Sequence, residues 1–166
     1  MVSRLLRHLF TGPLLLHRRF PAALLAEIET AIRDSETRHN GEIRFAIETA
    51  LPPGAVLRRM MARQAAIEAF SDLRVWDTQD NSGVLIYLLL ADHDLEIVAD
   101  RGIAGKVSQA EWDDIAQAIE QGFRAGQFRD GALEGIRRVT DLLAAHFPPG
   151  SRNLDELPNK PVILKR

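Results

Sequence analysis

The sequence predicts an α/β domain with helices on both faces of a small mixed sheet. Three observations predict it. Val84 to Leu90 is an unbroken apolar run that does not alternate, which suits a strand covered on both faces. A tight break at Ala91-Asp92-His93 leads into a second run, Leu95 to Ala99, and so short a break allows only an antiparallel neighbour. Elsewhere apolar residues recur at helical spacing, in the order helix, strand, helix, two paired strands, two helices.

Residues 1–20 carry Arg4, Arg7, Arg18 and Arg19 with no acid before Glu27, and Leu5, Leu6, Leu9, Phe10, Leu14, Leu15 and Leu16 make them greasy. Thr11-Gly12-Pro13 interrupts the apolar residues and His17-Arg18-Arg19 follows, so this is not the continuous apolar core of an export signal. Two uses fit: a short helix docked on the domain, or a basic amphipathic arm that touches a protein partner or an anionic membrane surface.

Pro21 suits a first helical turn. Leu24, Leu25, Ile28, Ala31, Ile32 and Ser35 then place an amphipathic helix over 21–38, which Asn40-Gly41 stops. Ile43, Phe45 and Ile47 alternate with Glu42, Arg44 and Glu48, the pattern of a half-buried strand that Pro52-Pro53-Gly54 ends. A second helix is expected over 55–70, with Leu57, Met61, Ala65 and Ala69 as its stripe. Trp76 reads as a core anchor or as an exposed contact. Ser108 followed by Glu111 is a capping-box signature, and Trp112, Ile115, Ala116, Ile119 and Phe123 line the helix it opens. Gly126 ends that helix. Asp130 can cap the last one, whose stripe is Leu133, Ile136, Val139, Leu143 and Phe147. Residues 1–20 are thus an arm, 21–147 the domain, and the proline-bearing stretch 148–166 an extended or disordered tail.

The 166 residues fit one domain, and a 46% hydrophobic content supplies one ordinary core. A formal charge of −2 gives no whole-protein field toward nucleic acid, and no nucleic-acid partner is expected. The absence of cysteine excludes disulfides, thiolate metal sites and cysteine nucleophiles, and suits a reducing cytoplasm. No apolar stretch approaches the roughly 20 residues of a spanning helix.

Three stretches, taken in order, resemble the TPM-domain family, named from thylakoid-lumen, photosystem-repair and nematode receptor-associated members. They are Ser35-Glu36-x-x-His39-x-Gly41-Glu42-Ile43; Trp76-x-Thr78 leading through Asn81-Ser82-Gly83 into Val84-Leu85-Ile86-Tyr87; and Glu96-Ile97-Val98-Ala99-Asp100-Arg101-Gly102 with Phe123-x-x-Gly126-x-Phe128 and Gly131 downstream. The resemblance covers roughly residues 20–147. It implies a three-layer α/β/α sandwich, and roles variously described as phosphatase activity, calcium binding and assistance in membrane-protein maintenance. The chain departs from commoner members. It shows no signal peptide or membrane anchor, it has Ala99-Asp100-Arg101-Gly102 where many have Gly-Tyr-Gly, and Ser108-Gln109 stand where many carry an acid. It resembles a compact, cytoplasmic branch.

Topology locates a candidate site. A helical crossover makes the first two strands parallel, and the third runs back. The start of the first strand, the start of the second and the end of the third then share one edge, with His39, Glu42, Asp77, Asp80, Asn81, Asp100 and Arg101. Glu42, Asp77, Asp80, Asn81 and Asp100 are the candidate metal ligands, offering the oxygens that a calcium or magnesium ion takes. The spacing is not that of an EF-hand loop. Local roles compete with this: Asp80-Asn81 as a turn, Asp100 on Arg101 or a backbone amide. Asp92-His93-Asp94 is either a polar turn or a second cation site. His39, at a helix end, is expected to have its protonated form favoured by the dipole.

The function expected is a non-enzymatic accessory or binding protein, at the inner membrane surface if the arm engages lipid. The alternative is a metal-dependent phosphatase built on Asp100, His39 and Arg101. No phosphate-cradling glycine loop or convincing nucleophile supports that alternative.

Overall fold

A four-stranded sheet divides the molecule, and helices cover both its faces. The computed structural model describes residues 2–150 and 155–165. In chain order the elements are α1 (Val2–Phe10), α2 (Pro13–Arg19), α3 (Ala22–Ser35), β1 (Glu42–Glu48), α4 (Pro53–Leu57), α5 (Ala62–Asp72), β2 (Gly83–Leu89), β3 (Asp94–Ala99), α6 (Arg101–Ala104), α7 (Gln109–Arg124), α8 (Phe128–His146) and β4 (Val162–Leu164).

The strands lie in the order β3-β2-β1-β4. β1 runs parallel to β2, with Glu42 opposite Gly83, and β2 pairs antiparallel with β3, with Val84 opposite Ala99. The predicted three-layer mixed sandwich is therefore what forms. Alternation across the sheet makes two cores. Ile43, Phe45, Ile47, Val84, Ile86 and Leu88 meet the buried stripes of α3, α7 and α8 on one face. Ala46, Leu85, Tyr87 and Leu89 meet the alanines of α5 on the other. Each large apolar side chain buried this way contributes roughly 1.5–3 kcal/mol. The capping box at Ser108 and Glu111 forms, and Trp112 is buried.

Several local expectations are corrected. β1 is buried along its whole length, not half-buried. The cause lies in the tail: β4 pairs parallel with β1 from Ala46 to Glu48, and the Arg44 guanidinium donates to the carbonyls of Pro158 and Lys160. The stretch expected as one helix over 55–70 is two helices. α4 stops where Arg59 takes φ 60°, with Met60 N–H bonded to Ala55 O and Arg59 N–H to Val56 O, a Schellman ending. Leu57, Met61 and Ile67 face solvent, while Ala62, Ala65, Ala66 and Ala69 are buried, because small residues let α5 approach the sheet closely. Trp76 is exposed beneath the Arg74 guanidinium rather than anchoring the core. Gln127, not Asp130, precedes α8, and Asp130 lies in its first turn.

Residues 2–20 form two helices, with His8, Leu16 and Phe20 buried. Among the described residues no helix is long and apolar enough to cross a membrane.

Candidate functional site

The expected common rim exists in the backbone. Glu42 N–H donates to Ser82 O at 3.1 Å, Asp100 N–H to Gly83 O at 2.9 Å, and Gly102 N–H to Asn81 O at 3.0 Å. These bonds tie the starts of β1 and β2 to the end of β3. Two glycines allow the approach: a Cβ on Gly83 would overlap the Val75 carbonyl, and one on Gly102 would lie 2.5 Å from Asp80 O and 2.6 Å from Asn81 O. Asn81 itself takes φ 52° in the turn.

The side chains on this rim take separate directions. Asp77 is exposed and pairs with Arg74 at 2.6 Å. Asp80 is exposed. Asn81 Oδ1 accepts from Arg101 Nε at 2.9 Å. Asp100 caps α6, with Oδ1 accepting from Arg101 N–H at 2.7 Å, while its Oδ2 is buried with no hydrogen-bond partner among the described residues. At the hairpin tip Asp92 is held by Arg4, Arg7 and His8 of α1.

Glu42 turns instead toward two residues that the sequence did not single out as ligands. One ligand oxygen from each of Glu36, Glu42 and Asp155 lies within 4.8 Å of the others. They open onto a cleft of about 160 Å³, also lined by Arg33, Thr37 and Asn159. Glu36 follows α3 and accepts from Ile43 N–H at 3.2 Å. Glu42 starts β1 and accepts from Leu157 N–H at 3.1 Å. Asp155 is brought in by the tail, which is pinned to the rim where Gln79 N–H donates to both oxygens of Glu156, at 3.2 and 2.9 Å. Asn159 hydrogen-bonds Glu36, and its Oδ1 is a buried oxygen with no partner among the described residues.

The electrostatics follow from burial. Burial pushes the Glu36 carboxyl up to about 8, the nearby Glu42 adds to this, and the bond from Ile43 opposes it. Burial likewise pushes Glu42 up to about 7, against backbone bonds from Leu157 and Glu156 and with the charges of Asp155 and Glu156. Two buried carboxylates with a third beside them favour whatever brings positive charge: a proton, or a cation.

His39 is fully buried, and burial pushes its imidazole down to about 4. The expectation of a dipole-favoured protonated form is thereby overturned. Its Nδ1 accepts from Gly41 N–H at 3.2 Å, which a protonated ring nitrogen cannot do.

Glu36 was visible in the first family-like stretch, but nothing in its spacing marked it as a ligand. Asp155 and Asn159 lie in a segment without periodicity, and only the return of the tail to β1 assigns them.

Comparison with known proteins gives a family match and matches among solved structures. The model of the TPM domain matches residues 19–142. Among solved structures, the NMR structure of BA42 protein from the psychrophilic bacterium Bizionia argentinensis superposes with a TM-score of 0.76 at 33% identity, covering 86% of this chain and 93% of that one. No curated protein matches.

Proposed function

The chain belongs to the TPM-domain family, and from that premise we propose that it is a non-enzymatic binding module whose acidic cleft takes a divalent cation. The observation that carries this is the meeting of Glu36, Glu42 and Asp155 from three distant segments. Three carboxylates and the Asn159 amide oxygen are hard donors, which fit calcium or magnesium rather than a soft metal. Calcium takes six to eight oxygens, so backbone carbonyls and water would complete the shell. Of the five ligands expected from the sequence, Glu42 belongs to this set. Asp77, Asp80, Asn81 and Asp100 instead shape the adjoining rim.

The residues expected to serve phosphoryl transfer do not line the cleft. Arg101 is engaged by Asn81, and His39 is enclosed in the protein. An accessory role, with the cation ordering the tail against the rim, uses the residues as they stand.

Calorimetric titration with calcium and with magnesium at pH 7 tests the proposal. Binding near the millimolar range is expected, with proton release as Glu36 and Glu42 ionise. E42Q should abolish the heat. Silence for both ions in the wild type ends the cation proposal. Turnover of a generic phosphomonoester by the wild type, lost in E42Q, would make the protein an enzyme instead.

A further inference from the structure

α1 is built with its polarity reversed. At 100° per residue, Arg4, Leu5 and His8 share one face of the helix, and Val2, Leu6, Leu9 and Phe10 share another. A helix in water ordinarily turns its leucines inward and its arginines outward. Here the polar face is the one that docks. Arg4 donates to Asp92 Oδ2 through Nε at 2.9 Å and through its terminal nitrogen at 2.7 Å, and the same terminal nitrogen donates to Met60 O at 2.8 Å. Arg7 reaches Asp92 Oδ1 at 3.1 Å. His8 is buried, accepts from Leu51 N–H at 2.9 Å and lies 3.2 Å from Asp92 Oδ2.

The apolar face is left in solvent: Val2 is 71% exposed, Leu6 46%, Leu9 57% and Phe10 83%. Leu14, in the first turn of α2, is 88% exposed. Leu57 and Met61, at the end of α4 and just beyond it, are also exposed. α1 and α4 pack together.

Charge identifies the occupant. Residues 2–20 contain four arginines and no acid. Arg18, Arg58 and Arg59 are exposed and form no ion pair among the described residues. Exposed apolar side chains accompanied by unpaired arginines on neighbouring segments match the boundary between acyl chains and anionic headgroups, where leucine and phenylalanine enter the apolar layer and arginine stays at the phosphates. A second copy of the same patch would oppose positive charge with positive charge.

We propose that α1 is an in-plane anchor for an anionic lipid surface. Asp92 holds the helix by its polar face so that Val2, Leu6, Leu9 and Phe10 enter the bilayer. The anchor is independent of the cation cleft, so its test is run in chelator.

The full chain is mixed with vesicles of phosphatidylcholine alone or with 30% phosphatidylglycerol, and binding is read by co-sedimentation. At least tenfold tighter binding to the anionic vesicles is expected. A triple variant, L6Q/L9Q/F10Q, changes only exposed residues, and circular dichroism checks its fold. It should lose at least tenfold of that affinity, and R58Q/R59Q should lose severalfold. An F10W reporter should shift its emission to the blue on anionic vesicles. Equal binding by wild type and triple variant, or an unshifted reporter, overturns the proposal. So does a lipid-free dimer of the wild type that the triple variant dissolves, which would make a second copy the occupant.

Discussion

Glu36 and Glu42 keep protons in the folded protein at pH values where the same residues in an unfolded chain have lost them. Their folded values, about 8 and about 7, lie above the ordinary 4.5. Between the unfolded and folded values the native state binds more protons, so stability falls as pH rises through that window. His39 acts in the opposite sense: its value of about 4 lies below the ordinary 6.5, so protonation favours the unfolded chain and stability rises with pH across that interval. His8 and His93, also pushed down by burial, add to the rise, and Asp94, pushed up to about 6, adds to the fall. Glu96 is pushed up by burial as well, and above the histidine window Glu36 and Glu42 carry most of the fall. Thermal stability should therefore drop between about pH 6.5 and 8 by on the order of 2 kcal/mol, several degrees in Tm for a chain of this size. E36Q and E42Q should each flatten that drop, and calcium should restore the wild type most strongly at its alkaline end. A Tm that does not change over this range in the wild type would show that the two carboxylates are not under strain. Neither shifted value was legible in the sequence. Burial of β1 on its polar side depends on what covers it, and Glu42 in an alternating strand reads as solvated.

At the scale of elements, α1 is held by one acidic residue from a hairpin tip far along the chain. D92N removes the charge that Arg4, Arg7 and His8 all face. Breaking a buried ion pair in a core leaves an unpaired charge and costs about 3–5 kcal/mol. Here the loss is limited, because α1 can leave the surface and return its arginines to water. The expected outcome is local opening: trypsin cleavage after Arg4 and Arg7 faster by about tenfold or more, with global stability in urea changed by about 1 kcal/mol or less. Unchanged cleavage would mean that Leu5 and the α4 contact hold the helix without Asp92. Helix ends show what an element's own sequence can and cannot reveal. α7 closes at Gly126, φ 78°, a glycine that the sequence marks as a stop. α4 and α5 close in the same manner at Arg59 and Arg74, φ 60° and 54°, where no residue type announces it. The break in the expected helix over 55–70 was invisible for that reason.

At the scale of the whole molecule, the tail completes the sheet and the cleft together. Residues 155–165 supply β4, the carbonyl partners of Arg44, the Leu157 side chain of the second core and the third carboxylate. Deleting them leaves β1 as an open edge, with Glu42 and Arg44 facing water on one side. The truncated chain should lose on the order of 3 kcal/mol of stability, about what burial of Leu157 and its neighbours contributes, and should show no heat with either cation. A truncated chain that still bound calcium would move the site to the Asp100–Asn81 rim.

What the sequence determined by itself is whatever depends on neighbours in the chain. The apolar run from Val84, the tight turn after Leu90, the capping box at Ser108 and the stripe from Trp112 to Phe123 each express a local period or a local hydrogen bond. Together with parallel crossover logic they placed three strand ends on one rim. Tertiary structure alone decided which oxygens meet there. Glu36, Glu42 and Asp155 share no period, and they come together because the tail returns to β1. It also decided that α1 turns its apolar stripe outward. The stripe is plain in the sequence, but its direction is set by Asp92, and a helix cannot encode which of its faces a distant carboxylate will bind.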